Sequence, residues 1–173
     1  MTTHTTRIVV LLGSLRADSL NRRIAESLRD QAPEDVVVEI ADGLHELPFY
    51  NEDIDTEDVP AGAAALRALV DGADGVLAVT PEYNGTMPAV LNNAIDWLSR
   101  PYGVGAITGK RFGVVGATPT PYGGKWAHAD AARSAGIVPL YSGVTASTAS
   151  APPTCARSVR TAPGTSSVSM SSL

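Results

Sequence analysis

Three short stretches carry residue types that could do chemistry. The first is Gly13-Ser-Leu-Arg-Ala-Asp-Ser-Leu-Asn21. Ser14, Arg16, Ser19 and Asn21 can all donate hydrogen bonds, and Arg16 adds a planar cation. Placed ahead of a helix N-terminus with its free backbone N–H groups, these side chains would surround a phosphate. Each charge-assisted bond contributes about 1.5–3 kcal/mol, so one arginine and two hydroxyls could anchor a phosphomonoester. A plainer alternative stays open: Ser19 or Asn21 simply caps the helix. The stretch has neither the Gly-x-Gly-x-x-Gly of a dinucleotide fold nor the Gly-Lys-Ser/Thr of a P-loop.

The second stretch is Thr80-Pro-Glu-Tyr-Asn-Gly-Thr-Met-Pro88. Its turn formers, one aromatic and neighbouring acid and amide could wrap a flat heterocycle, with backbone N–H groups at the ring edge and Tyr83 near its face. It reads equally as a tight turn with Tyr83 packed on its neighbours. The third is Gly116-Ala-Thr-Pro-Thr-Pro-Tyr-Gly-Gly124, whose glycines permit close backbone approach to a ligand or make a flexible connector.

Elsewhere the chemistry is sparse. His4 lies in an N-terminal tail, His45 in an acidic loop and His128 on an expected helix, so each reads as a surface or packing residue. Cys155 has no histidine context, and one cysteine supports neither an intrachain disulfide nor a Cys-rich metal site. Trp97 and Trp126 read as core or interface aromatics. Glu82 could act as a proton donor, but a turn-stabilising carboxylate is the better reading.

The elements that must position these stretches follow from hydrophobic periodicity. Arg7 to Gly13, Val36 to Ile40, Gly75 to Thr80 and Arg111 to Gly116 are short β-branched runs suited to strands buried on both faces. Between them, Asn21 to Gln31, Ala61 to Ala73 and the stretch from Pro88 to Pro101 carry apolar residues at helical spacing, and Trp126 to Ala135 follows the fourth strand. Pro88 stands at a helix start, where proline is best tolerated. Strand and helix alternate four times, which predicts an α/β open parallel sheet with helices on both faces. Ligands of such sheets bind beyond the carboxyl ends of the strands, where the three unusual loops fall.

Composition narrows the function classes. The chain has 173 residues and a net charge of −5, with no run near the ~18 apolar residues of a membrane span. Met1 to Thr6 lacks the features of a signal peptide, so a cytoplasmic location is expected and the Asn84-Gly85-Thr86 sequon is a chance match. An acidic chain with scattered cations is not a nucleic-acid binder. Anion binding falls to a few placed residues.

Gly13-Ser14-Leu15-Arg16 with Ser19 and Asn21, then Pro81-Glu82-Tyr83-Asn84-Gly85 running into Leu91-Asn-Asn-Ala-Ile-Asp-Trp97, resembles the NADPH-dependent FMN reductase family. That family has a flavodoxin-like fold and includes quinone, chromate and azo-dye reductases. The likeness covers Arg7 to Ala135, about three-quarters of the chain. It implies FMN as cofactor, with Ser14, Arg16, Ser19 and Asn21 at the phosphate and Pro81, Glu82, Tyr83 and Asn84 at the ring. Thr118 and Gly123 lie near the ring. It implies hydride transfer from NAD(P)H to flavin N5, then delivery of two electrons to small-molecule acceptors such as quinones, with no catalytic side chain and no metal. It also implies a homodimer or homotetramer. Asn92 stands where the family commonly has lysine, a difference that concerns helix packing or the subunit interface. A flavodoxin-like electron carrier is the alternative, but the arginine in the first loop and an aromatic content of 5% favour a reductase. A weakened relative with little activity is a third reading.

The C-terminal part differs in kind. All 18 acidic residues lie at or before Asp130. Ile137 to Tyr141 could be a fifth strand, though Pro139 makes it a poor central one. Beyond it, Ser142 to Leu173 is rich in Ser, Thr, Ala and Pro with no helical stripe. We therefore expect an FMN-binding domain over 1–140, and over 141–173 a tail that is disordered or the product of a reading-frame change, with the family's fifth strand and C-terminal helix in doubt.

Overall fold

The computed structural model describes residues 5–137 and 145–146. Strand β1 (Thr6–Leu12) leads to helix α1 (Leu20–Asp30) and β2 (Val36–Ile40). An irregular acidic segment then precedes α2 (Ala61–Asp71), β3 (Gly75–Val79), α3 (Ala89–Leu98), β4 (Arg111–Val115), α4 (Lys125–Ile137) and β5 (Thr145–Ala146). The strands form one sheet in the order β2-β1-β3-β4-β5, and every pairing is parallel. This is the α/β parallel sheet that the alternation of elements predicts, in the flavodoxin-like form that the resemblance implies.

Period-two alternation splits the strand side chains between two cores. Val9, Leu11, Val76, Ala78, Phe112 and Val114 pack with Leu66 and Val70 of α2 and Leu91, Ile95 and Leu98 of α3. Val10, Leu12 and Val79 face the other way, onto Ile24 and Ala25 of α1. Strand order reverses between β1 and β3, because β2 lies on one side of β1 and β3 on the other. The register pairs Leu12 with Val79 and Val79 with Val115, so these three strands end level. The loops that follow them therefore meet at one edge.

The fifth strand differs from expectation. Ile137 is the last residue of α4, and the paired strand is Thr145–Ala146, beyond residue 140. Of the expected strand Ile137 to Tyr141 only Ile137 is described, as the end of α4, and residues 138–144 lie outside the described ones. The expected tail, its C-terminal helix and Cys155 also lie outside them, β5 apart.

The acidic segment after β2 is pinned to α3. Trp97, fully buried, donates from Nε1 to the Pro48 carbonyl at 2.8 Å, and its ring meets Tyr50 edge-on at 5.0 Å. Asn93 donates to the same carbonyl at 3.0 Å and accepts from Tyr50 N at 2.8 Å. Asn92 donates to the Met87 carbonyl at 3.0 Å, at the start of α3.

Candidate cofactor site at the carboxyl edge of the sheet

The edge is drawn tight by backbone contacts between neighbouring strand ends. Gly13 N donates to Val79 O at 2.8 Å, and Thr80 N to Val115 O at 2.9 Å. Glycine is required at the second junction by space alone: a Cβ on Gly116 would stand 2.0 Å from Thr80 O and 2.9 Å from His128 Nε2.

In the loop after β1, Ser14 is buried and Arg16 is exposed without an ion-pair partner among the described residues. The backbone N–H groups of Ser14 to Asp18 find no acceptor among the described residues. Backbone donors are ordinarily paired, so a run of free ones beside an arginine has the donor set of an anion site. Ser19 is the α1 cap: its hydroxyl accepts from Arg22 N at 3.3 Å. Asn21 is buried and spends its amide across the site, donating to Ala117 O at 3.0 Å and accepting from Ala117 N at 2.9 Å. It thereby ties the first loop to the third.

The loop after β3 is a two-residue hairpin turn. Tyr83 N donates to Thr86 O at 3.2 Å, and Thr86 N to Tyr83 O at 3.1 Å. Asn84 (φ 54°) and Gly85 (φ 74°) both occupy the left-handed region, the type I′ pattern that favours Asn-Gly. The turn leaves the Tyr83 side chain about half exposed rather than packed. Beside it lies an open groove of about 630 Å³, lined by Phe49, Tyr83, Asn84, Met87, Pro88 and Asn92.

This hairpin is anchored to α4. Glu82 Oε2 accepts from Trp126 N at 2.9 Å and Ala127 N at 3.2 Å, capping the helix from outside its own sequence. Asp130 accepts from Thr86 Oγ1 and, at 3.2 Å, from Met87 N. The hydrogen bonds to Asp130 outweigh its burial and hold its carboxyl below the usual range. Glu82 thus acts as the turn-stabilising carboxylate. In the third loop Thr118 is buried and shares a hydroxyl contact of 3.1 Å with Thr120, while Gly123 and Gly124 take left-handed φ of 64° and 74°.

Two residues behave differently from a pattern reading. Trp126 is not core: it is 43% exposed, with its ring 5.0 Å from that of Tyr122. The left-handed glycines set the first turn of α4 at the site rim, which periodicity does not reveal. His128 is packed, as expected, but more deeply than expected. It is buried beneath Gly116 and Gly124, neither ring nitrogen has a partner among the described residues, and burial pushes its pKa down. Among the described residues no cluster of His, Cys, Asp and Glu could hold a metal ion, and no helix is long and apolar enough to cross a membrane.

Comparison with known proteins agrees with this geometry. Residues 6–147 match the model of the NADPH-dependent FMN reductases. A 2-hydroxy-1,4-benzoquinone reductase of a Burkholderia species is 44% identical over 112 residues, 65% of this chain and 60% of that protein. A quinone reductase of Pseudomonas putida is 44% identical over 117 residues, 68% of this chain and 62% of that protein. The chain thus spans about three-fifths of the length of these curated relatives. The flavoenzyme NAD(P)H:acceptor oxidoreductase FerB of Paracoccus denitrificans superposes with a TM-score of 0.73 at 34% identity, over 79% of this chain and 74% of that one.

Proposed function

Because this chain belongs to the NADPH-dependent FMN reductase family, we propose that it binds FMN and uses NAD(P)H to reduce quinones. One observation carries the reading: Arg16 and the backbone N–H groups beside it, without partners among the described residues, share an edge with the Asn84-Gly85 hairpin. The FMN phosphate would sit against Arg16, Ser14 and the N–H groups of Ser14 to Asp18, with Ser19 holding the start of α1 and Asn21 the loop across from it. The isoalloxazine would lie against Pro81, Glu82, Tyr83 and Asn84, with Thr118 and Gly123 flanking it.

Bound FMN supplies a two-electron relay between donor and acceptor. The donor loses a hydride to become NAD(P)⁺, and the quinone gains that hydride and one solvent proton to become a hydroquinone. The protein's part is to orient the partners and leave one face open, while Glu82 Oε2 is engaged by the α4 backbone. Acceptance of free FMN, chromate or azo compounds extends the same reading. So does assembly as a homodimer or homotetramer, supported by the exposed Phe49, Tyr102 and Val104. A cytoplasmic location belongs to the same proposal.

Purified full-length chain loaded with FMN and assayed for NADPH oxidation with 1,4-benzoquinone tests the proposal. Turnover well above that of an equal amount of free FMN is expected. Turnover equal to free FMN, or no retained yellow absorbance, would overturn it.

A further inference from the structure

The loop after β4 and the first turn of α4 place Tyr122, Lys125 and Trp126 together at the rim, all three exposed. The Lys125 ammonium lies 4.4 Å from the Trp126 ring centre and 5.7 Å from that of Tyr122. Aromatic faces hold a cation in place without neutralising it. Among the described residues the ammonium has no carboxylate or hydrogen-bond partner, in a chain with net charge −5. It also stands at the positive end of α4, where a cation works against the helix dipole. The free N–H groups there are already taken by Glu82, so an anion arriving at this rim would meet the lysine rather than the helix end. The cluster adjoins the second loop: a Cβ on Gly85 would stand 4.0 Å from Trp126 Cβ.

We propose that Lys125, held by Trp126 and Tyr122, is a binding subsite for a phosphate of the nicotinamide donor. Two cations at this edge then divide the work, Arg16 after β1 for the cofactor phosphate and Lys125 after β4 for the donor. The donor carries phosphate in two places, the pyrophosphate common to NADH and NADPH and the 2′-phosphate of NADPH alone. A lysine is a compact point charge that suits either.

This inference rests on the reductase reading, and its test is independent of turnover. NADP⁺ and NAD⁺ are titrated calorimetrically into the FMN-loaded and FMN-free full chain, into Lys125→Ala and Lys125→Glu, and into Lys125→Arg as the conservative variant. For a 2′-phosphate, Kd for NADP⁺ rises about tenfold in Lys125→Ala and further in Lys125→Glu, while that for NAD⁺ moves less than twofold. For the pyrophosphate, both rise together. Either result supports a phosphate subsite, and Lys125→Arg restores most of the affinity. In NADPH-driven turnover the loss falls on KM for the donor rather than kcat. Unchanged affinity for both dinucleotides in the alanine and glutamate variants overturns the inference even where the parent protein is an active reductase. Absence of parent turnover would sink the reductase reading instead, and the titration would still decide the subsite.

Discussion

Glu82 Oε2 accepts a hydrogen bond from Trp126 N at 2.9 Å, joining residues 44 positions apart. One carboxylate therefore ties the hairpin after β3 to the helix after β4 and caps that helix, beside the second tie that Asp130 makes to Thr86 and Met87.

Removing that anchor should loosen both loops. Glu82→Ala is expected to cost about 1–2 kcal/mol, the scale of a lost helix cap, and Glu82→Gln less because one oxygen acceptor survives. Urea unfolding gives the stability, and flavin fluorescence gives FMN affinity, which should fall with it. Full FMN affinity in Glu82→Ala would show that the Asp130 tie alone holds the hairpin in place.

Asn21 is the corresponding anchor between the first and third loops, bonded to both Ala117 O and Ala117 N. Asn21→Ala leaves a buried donor and acceptor to be satisfied elsewhere, at about 1–3 kcal/mol. Asn21→Asp keeps the acceptor but faces the Ala117 carbonyl with a carboxylate, so it should be no better. A variant as stable as the parent would mean that water replaces the amide.

Two glycines should respond oppositely in kind. Gly116→Ala puts a methyl 2.0 Å from the Thr80 carbonyl oxygen, where only backbone movement makes room. Its cost should exceed the about 1–3 kcal/mol usual for overpacking, and soluble FMN-binding protein should be lost. Gly103→Ala meets nothing within 4 Å and pays only for its φ of +83°. That should be about 1 kcal/mol with the site intact. Comparing soluble yield and flavin content of the two variants separates steric from conformational cost.

The centre of the sheet was legible because β3 and most of β1 are buried on both faces, so Arg7 to Gly13 and Gly75 to Thr80 read as continuous apolar runs, whereas the edge strand β2 has no fully buried residue. Pro88 marked the start of α3 for an equally local reason, its fixed φ. The site loops were legible as unusual sequences, though not in their division of labour. Ser19 as cap, Asn21 as a tie and Glu82 as a remote cap depend on partners up to 96 residues away. The hold of Trp97 and Asn93 on Pro48 is equally non-local, and so is the exposure of Trp126, which turns on two left-handed glycines. Periodicity reports which face a residue occupies and not what lies opposite it.

Arg67 and Asp55 form a largely buried two-pronged pair at 2.7 and 2.8 Å, and Arg67 Nε also donates to Trp97 O at 3.0 Å. Hydrogen bonding from Arg67 is the main cause that holds the Asp55 carboxyl below its ordinary 3.8, against the opposing effect of burial. Its contribution is thus fully present above pH 3.8 and is lost as pH falls through the lower folded value. Arg67→Met strands a carboxylate and should cost about 3 kcal/mol by urea unfolding at pH 7. Asp55→Asn added to Arg67→Met should recover part of that loss. No recovery would place the cost in Arg67's packing over the Trp97 ring, at 5.4 Å, instead of in the charge.

His128 gives the fold a second pH dependence, of the opposite chemical kind. Burial lowers its pKa from the ordinary 6.5, and the negative charge of Glu82 offsets that only in part. The unfolded chain therefore takes up a proton below about pH 6.5 that the folded chain still refuses. Stability is greatest above that value and falls as pH drops towards the folded pKa, by at most about 1.4 kcal/mol per pH unit. Urea midpoints at pH 7.5 and 5.5 should show this fall in the parent protein. In His128→Met the imidazole is replaced by an apolar side chain that needs no partner, so stability near pH 7 should hold and the fall between the two pH values should largely vanish. Persistence of the same fall in His128→Met would assign it to another group and leave His128 as packing alone.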